Sequence, residues 1–97
     1  MVTLRIEHPI RDYELWQSAF DRFARARQQA GVRGYVIRRP AGDPDYLMID
    51  LEFGSAEQAA GFAEFLQTRV WSSPGSSPAL AGVPVTRILD VVRTGKS

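Results

Sequence analysis

The apolar pattern of this chain changes period at Pro9, and that change limits what the chain can fold into. Upstream, residues 2–8 alternate, with Val2, Leu4, Ile6 and His8 on one side and Thr3, Arg5 and Glu7 on the other. This is the spacing of a strand with one greasy face. Pro9 has no amide hydrogen to give to a ladder and keeps His8 extended, so the strand is expected to end there. Downstream, Asp12 is placed to cap a helix and Glu14 to complement its dipole. Tyr13, Trp16, Ala19, Phe20, Phe23, Ala26 and Ala30 then form one wide apolar stripe. Glu14, Gln17, Asp21, Arg22, Arg25 and Gln28 fall on the other side, with Asp21–Arg25 an expected i,i+4 ion pair. Gly31 supplies the left-handed residue that stops the helix. A half-apolar strand followed at once by a half-apolar helix buries both faces when the helix lies across the strand.

The rest of the chain supplies the material to complete that layer. Residues 32–39 read as a second strand, weakened by Gly34, and residues 40–45 as a turn rich in Pro, Gly and Asp. Residues 46–53 alternate without a fault: Leu47, Ile49, Leu51 and Phe53 on one face, Tyr46, Met48, Asp50 and Glu52 on the other. The two strands are joined as a hairpin. Ser55 with Gln58 three residues on forms a capping box. It opens a second amphipathic helix marked by Ala59, Phe62, Ala63, Leu66 and Val70, with Trp71 at its end. Residues 72–78 read as a loop, residues 78–82 as one short helical turn, residues 84–92 as a last strand and residues 94–97 as a frayed tail. Strand, helix, strand, strand, helix, strand, with right-handed crossovers and local pairing, reduces to a ferredoxin-like βαββαβ sandwich. The fold class expected is α+β: a four-stranded antiparallel sheet with strands one and three central and two helices on one face, a single domain over residues 1–97.

Composition narrows the function classes. A net charge of +1, with eleven acids scattered among arginines and a single lysine, Lys96, gives no stripe to attract a nucleic acid or an anionic membrane. Neither partner is expected. Cysteine is absent, which excludes disulfides, thiol catalysis and thiolate metal sites and suits a cytoplasmic protein. Arg5 and Glu7 interrupt the start of the chain, so it does not read as a signal peptide, and no run approaches the ~20 apolar residues of a membrane span. No metal site and no cofactor are expected: His8 is the only histidine, and no acidic cluster at ligand spacing accompanies it. Phosphate-binding glycine loops and serine-nucleophile motifs are also absent.

Helices on one face leave the other face of the sheet bare, showing Thr3, Arg5, Glu7, Tyr46, Met48, Asp50 and Glu52, joined by some of Arg38, Arg87 and Asp90. A domain of 97 residues buries a modest share of its surface. Pairing that mixed face with its own copy about a two-fold axis is the expected remedy. Asp50 and Glu52 mimic a catalytic acid pair by spacing, but are expected to be tied to Arg5, Arg38 or Arg87 across the sheet or the dimer.

The pattern His8-Pro9-Ile10-Arg11-Asp12-Tyr13-x-x-Trp16-x-x-x-Phe20-Asp21, then Gly31-Val32, then Leu51-Glu52-Phe53, resembles small proteins of the dimeric α/β-barrel superfamily. That group includes antibiotic-biosynthesis-monooxygenase-like proteins and many uncharacterised bacterial ones. The similarity runs over nearly the whole chain, including Ser77-Pro78-Ala79-Leu80. It implies a homodimer packed sheet to sheet, with the ligand of each subunit between its sheet and its helices. Two members of related fold are disfavoured by particular residues. An RNA-recognition domain needs aromatic and basic residues where this chain has Asp50 and Glu52. The haem-degrading branch relies on Asn, Trp and His together, and this chain contains no asparagine.

His8 shares its face with Val2, Leu4 and Ile6 and is expected to point at the helices. It reads either as a structural histidine bonded to nearby backbone or as a cavity-lining base or donor, and is the best catalytic candidate. Trp16, Phe20, Phe23, Phe62 and Phe65 read as core. If a cavity exists, they wall it together with Tyr13, Tyr35 and Trp71, which favours a flat apolar or aromatic ligand. The candidate ligand-binding residues are therefore His8, Tyr13, Trp16, Tyr35 and Trp71, with Trp71 either a lid or a plug. The functions expected are, first, a small-molecule-binding protein for an apolar or aromatic ligand. The alternatives are a cofactor-independent monooxygenase acting on an aromatic compound and an interaction module without a ligand.

Overall fold

Tyr46–Phe53 forms strand β3 over the eight residues whose alternation is perfect, and Val2–Pro9 (β1) lies antiparallel to it with Leu4 opposite Leu51 and Ile6 opposite Ile49. Gly34–Arg38 (β2) pairs with the other side of β3, and Val85–Asp90 (β4) with the other side of β1. The order β2-β3-β1-β4 puts strands one and three in the centre. The computed structural model describes residues 1–73, 75 and 79–97. This is the expected α+β ferredoxin-like arrangement.

Leu4, Leu47, Leu51 and Phe53 are almost fully enclosed because they occupy the inward positions of the two central strands. The helices cover that side only. Asp12 caps the first, accepting the Leu15 N–H at 3.0 Å, and Ser55 caps the later one, accepting the Gln58 N–H at 3.2 Å. Each carboxylate or hydroxyl satisfies one of the amides that a helix start leaves unpaired.

The long first helix is broken in two. It runs as α1 (Tyr13–Arg22) and α2 (Ala24–Ala30), with Phe23 between them out of helical geometry at φ −96° and ψ 14°. At the break the Phe20 carbonyl accepts both the Phe23 N–H at 3.2 Å and the Arg27 guanidinium, a side chain inserted beside the helical ladder. The Asp21–Arg25 ion pair does not form among the described residues, where the only ion pairs are those of Asp50.

The helix α3 (Ala56–Phe65) passes into a π-helical segment, Leu66–Val70, instead of continuing as α. The Trp71 N–H reaches the Leu66 carbonyl at 2.7 Å, the i→i+5 bond of a π turn. Hydroxyls take up carbonyls along this stretch, Thr68 bonding Glu64 at 2.8 Å and Ser72 bonding Thr68 at 2.7 Å.

After it, the expected loop falls partly outside the described residues, namely at Pro74, Ser76, Ser77 and Pro78. Over residues 79–82, the described part of the helical turn expected at 78–82, an extended contact stands instead. Leu80 bridges Ile10, and the Arg11 N–H donates to the Ala79 carbonyl at 2.8 Å. Backbone groups just beyond Pro9 thereby find partners that a helical turn would not have offered.

The bare face carries Thr3, Arg5, Glu7, Tyr46, Met48, Asp50 and Glu52, with Val36, Arg38, Val85, Arg87 and Leu89 beside them. Asp90 does not belong there. It pairs with Val2 and so shares the helix side, because side chains in register point the same way. Asp50 is buried even so, held by Arg5 through two bonds of 2.8 Å and by Arg38 through one. These guanidinium bonds keep its carboxyl below the ordinary range, Arg5 contributing most. Thr3 donates to Glu52 at 2.8 Å and Tyr46 to Glu7 at 3.1 Å.

Candidate functional site

A cleft of about 90 Å³ lies between the sheet and the helices. Ile6, Ile49 and Leu51 form its floor, inward residues of the two central strands. Trp16, Phe20 and Phe23 from the first helical pair form one wall; Phe62, Leu66 and Val70 from α3 and the π segment form the other. The π turn matters here. Its i→i+5 spacing stacks Trp71 over Leu66, which brings the half-buried indole into the cleft beside Leu66 and Val70.

Two polar side chains break this apolar lining, His8 and Arg27. His8 is 3% exposed, and its Nδ1 lies 2.9 Å from the Pro9 carbonyl oxygen. A carbonyl only accepts, so Nδ1 carries the proton and Nε2 presents a lone pair. Among the described residues none bonds Nε2 and no buried side-chain nitrogen is left unsatisfied, so Nε2 opens onto accessible space. Burial pushes the imidazole below its ordinary pKa of 6.5, partly offset by the bond to Pro9. The ring is therefore neutral at pH 7 and a hydrogen-bond acceptor. Both readings of His8 meet in one ring: one nitrogen serves the backbone and the other faces the cleft.

Arg27 is the charged residue of the cleft that the apolar sequence pattern does not single out. It is 8% exposed, with its guanidinium carbon 3.6 Å from the centre of the Phe20 ring and 5.6 Å from that of Tyr35. Its signal was present in the spacing. Tyr13, Trp16, Phe20, Phe23, Arg27 and Ala30 follow one another at alternating steps of three and four, so Arg27 is the one charged residue on that apolar seam.

Of the candidate ligand-binding residues, His8, Trp16 and Trp71 meet in the cleft, and Tyr13 and Tyr35 stand one ring further out. Tyr13 stacks on Trp16 with centroids 6.0 Å apart, and Trp16 on Phe20 at 4.9 Å. Tyr35, 52% exposed, meets Phe20 edge-on at 5.0 Å. Both tyrosines thus brace the aromatic wall from behind. Asp50 and Glu52 lie on the opposite face of the sheet and take no part. Among the described residues, no group of three or more His, Cys, Asp or Glu side chains is placed to hold a metal ion.

Fold and cleft together define a ferredoxin-like sandwich with an aromatic-walled site between its layers. No protein-family model matches the sequence, and no curated protein matches it. Solved structures do. An antibiotic biosynthesis monooxygenase superposes with a TM-score of 0.64 at 11% identity, covering 96% of this chain and 100% of that one. A variant of MhuD with two manganese protoporphyrin IX molecules bound per active site gives 0.67 at 15%, over 99% and 98%. A dimeric ferredoxin-like protein from an uncultured marine organism gives 0.65 at 10%, over the whole of both chains. At these identities the likeness is one of fold, and it is the fold that the sequence resemblance implied.

Proposed function

We propose that this chain is a small-molecule-binding protein of the dimeric α/β-barrel type, one domain over residues 1–97, that takes an aromatic ligand between its sheet and helices. The observation that carries the reading is the cleft in which His8, Trp16 and Trp71 meet, because a packed core would have filled that place. Its volume is below the roughly 150 Å³ that an apolar cavity offers a benzene ring. Trp71, half-buried, is the side chain placed to give way. An interaction module without a ligand has no use for such a space. The acidic Asp50 and Glu52 on the open sheet argue against a nucleic acid there, and no helix among the described residues is long and apolar enough to cross a membrane.

The basic lone pair of His8 favours a second reading, a cofactor-independent monooxygenase acting on an electron-rich phenol. His8 Nε2 accepts the phenol proton, and the resulting phenolate is the electron-rich species that reacts with dioxygen. One oxygen atom becomes the new carbonyl of a quinone and the other leaves as water. Neutral His8 is the competent form for that first step.

Tryptophan emission and oxygen consumption test the two readings in one titration. Simple phenols and quinols should quench Trp16 and Trp71 saturably. Absence of saturable quenching by any of them, in folded protein, would sink the binding reading. Oxygen uptake that His8→Ala abolishes while the fold persists supports catalysis, and uptake unchanged in that variant removes His8 from the mechanism.

A further inference from the structure

Among the described residues Arg27 makes no ion pair: Asp21 is the carboxylate that acts on it, and it does so from beyond salt-bridge distance. The ion pairs of the described residues are those of Arg5 and Arg38 with Asp50, on the far side of the sheet. One arm of its guanidinium is spent on the Phe20 carbonyl, and the face of the group lies on the Phe20 ring. Among the described residues the other N–H groups have no hydrogen-bond partner and no buried side-chain nitrogen is left unsatisfied, so these groups open onto accessible space. A charge this deeply buried is costly unless it is paired, and ring contact only partly replaces a counter-ion. The aromatic ladder Tyr13–Trp16–Phe20 ends on this cation.

From this geometry we infer that the ligand of the cleft is an aromatic carboxylate, with Arg27 as its counter-ion. The inference rests on the small-molecule reading above and sharpens it. A planar guanidinium fork matches a planar carboxylate with two parallel bonds. An acid conjugated to a single ring is flat enough to lie along Trp16 and Phe20, and at about 90 Å³ the cleft takes even that only as Trp71 gives way. The acid end is also separated from His8. Tyr35, against which the guanidinium lies, is opposite Leu51, whereas His8 is opposite Leu47, four residues away along β3, or roughly 13 Å. Arg27 therefore binds and orients the ligand at the end of the cleft away from His8.

The test compares benzoate with benzamide, of the same size and shape but uncharged, by calorimetry or ligand-observed NMR at pH 7. Benzoate should bind at least about tenfold tighter. Arg27→Met should abolish that preference and leave benzamide binding in place, and Arg27→Lys should keep part of it. Equal affinities in the wild type, or a preference that survives Arg27→Met, would overturn the assignment and leave the aromatic-cleft reading standing. Binding of neither compound to folded protein would overturn both. Should Arg27→Met lose its circular dichroism signature, the wild-type ratio and Arg27→Lys decide the matter.

Discussion

His8 is held by a single backbone bond in an otherwise apolar setting, and this ties its protonation to stability. Its pKa is lowered in the fold by burial, so between that value and the unfolded 6.5 the unfolded chain binds more protons than the native one. Stability is then fully present above pH 6.5 and is lost as pH falls below it, by at most about 1.4 kcal/mol per pH unit. Asp50, displaced downward from 3.8 by Arg5, loses its contribution only as pH falls below that value, outside this window. Chemical denaturation of wild type and His8→Gln at pH 7 and pH 5 checks the account. The wild type should weaken toward pH 5 and His8→Gln should not, whereas parallel behaviour would mean that His8 is not buried as a neutral ring. The same property serves the site, since a neutral imidazole at pH 7 offers its lone pair without first losing a proton.

The elements of this fold end where backbone chemistry dictates, and the site depends on two of those ends. Gly31 closes α2 at φ +94°, with its successor Val32 donating to the Arg27 carbonyl at 3.0 Å. A Cβ there would lie 2.7 Å from the Gln58 amide nitrogen, while at Gly42, also left-handed at φ +84°, it would meet nothing. Gly31→Ala should therefore cost about 1–2 kcal/mol from the conformation, plus whatever displacement of Gln58 adds. Gly42→Ala should show the conformational cost alone. Equal losses in thermal melts would show that Gln58 yields freely. The sequence made β3 legible to the residue because period two admits one register, and it made both helix caps legible because Asp12 and Ser55 announce them. It hid the two irregularities that build the site. Ala24 through Gln28 are good helix formers in any surroundings, so nothing local marks the break at Phe23. Leu66 through Val70 fit α and π spacing alike, and only the packing of Trp71 separates them. Arg27 is hidden by its charge, which is unusual on a buried seam, although its spacing places it there.

On the scale of the whole molecule, the open sheet is the feature left without a partner. The chain exposes 6452 Å², roughly 900 Å² more than the roughly 5,500 Å² expected of a monomer of this mass. Residues 91–97 beyond β4 are all exposed and contribute to that excess. The face is also self-complementary. It holds Arg5, Arg38 and Arg87 against Glu7, Asp50 and Glu52, with Val36 and Val85, 43% and 53% exposed, on its two edge strands. Arg87 stands directly opposite Arg5, whose charge Asp50 takes up, and makes no ion pair among the described residues, so a carboxylate from a second copy would serve it. A neutral mixture of this kind suits a two-fold pairing, in which the same patch meets itself. We therefore expect a homodimer through the sheet face, seen as twice the chain mass by light scattering at micromolar concentration. Val36→Asp places a second carboxylate on the edge strand β2, directly beside Asp50. It should shift the mass to that of one chain while leaving circular dichroism unchanged, since an exposed position tolerates the change in the monomer. A wild-type protein that scatters as a monomer would sink the sheet-to-sheet dimer. Because the cleft lies on the other side of the sheet, the Val36→Asp monomer should also keep its preference for benzoate.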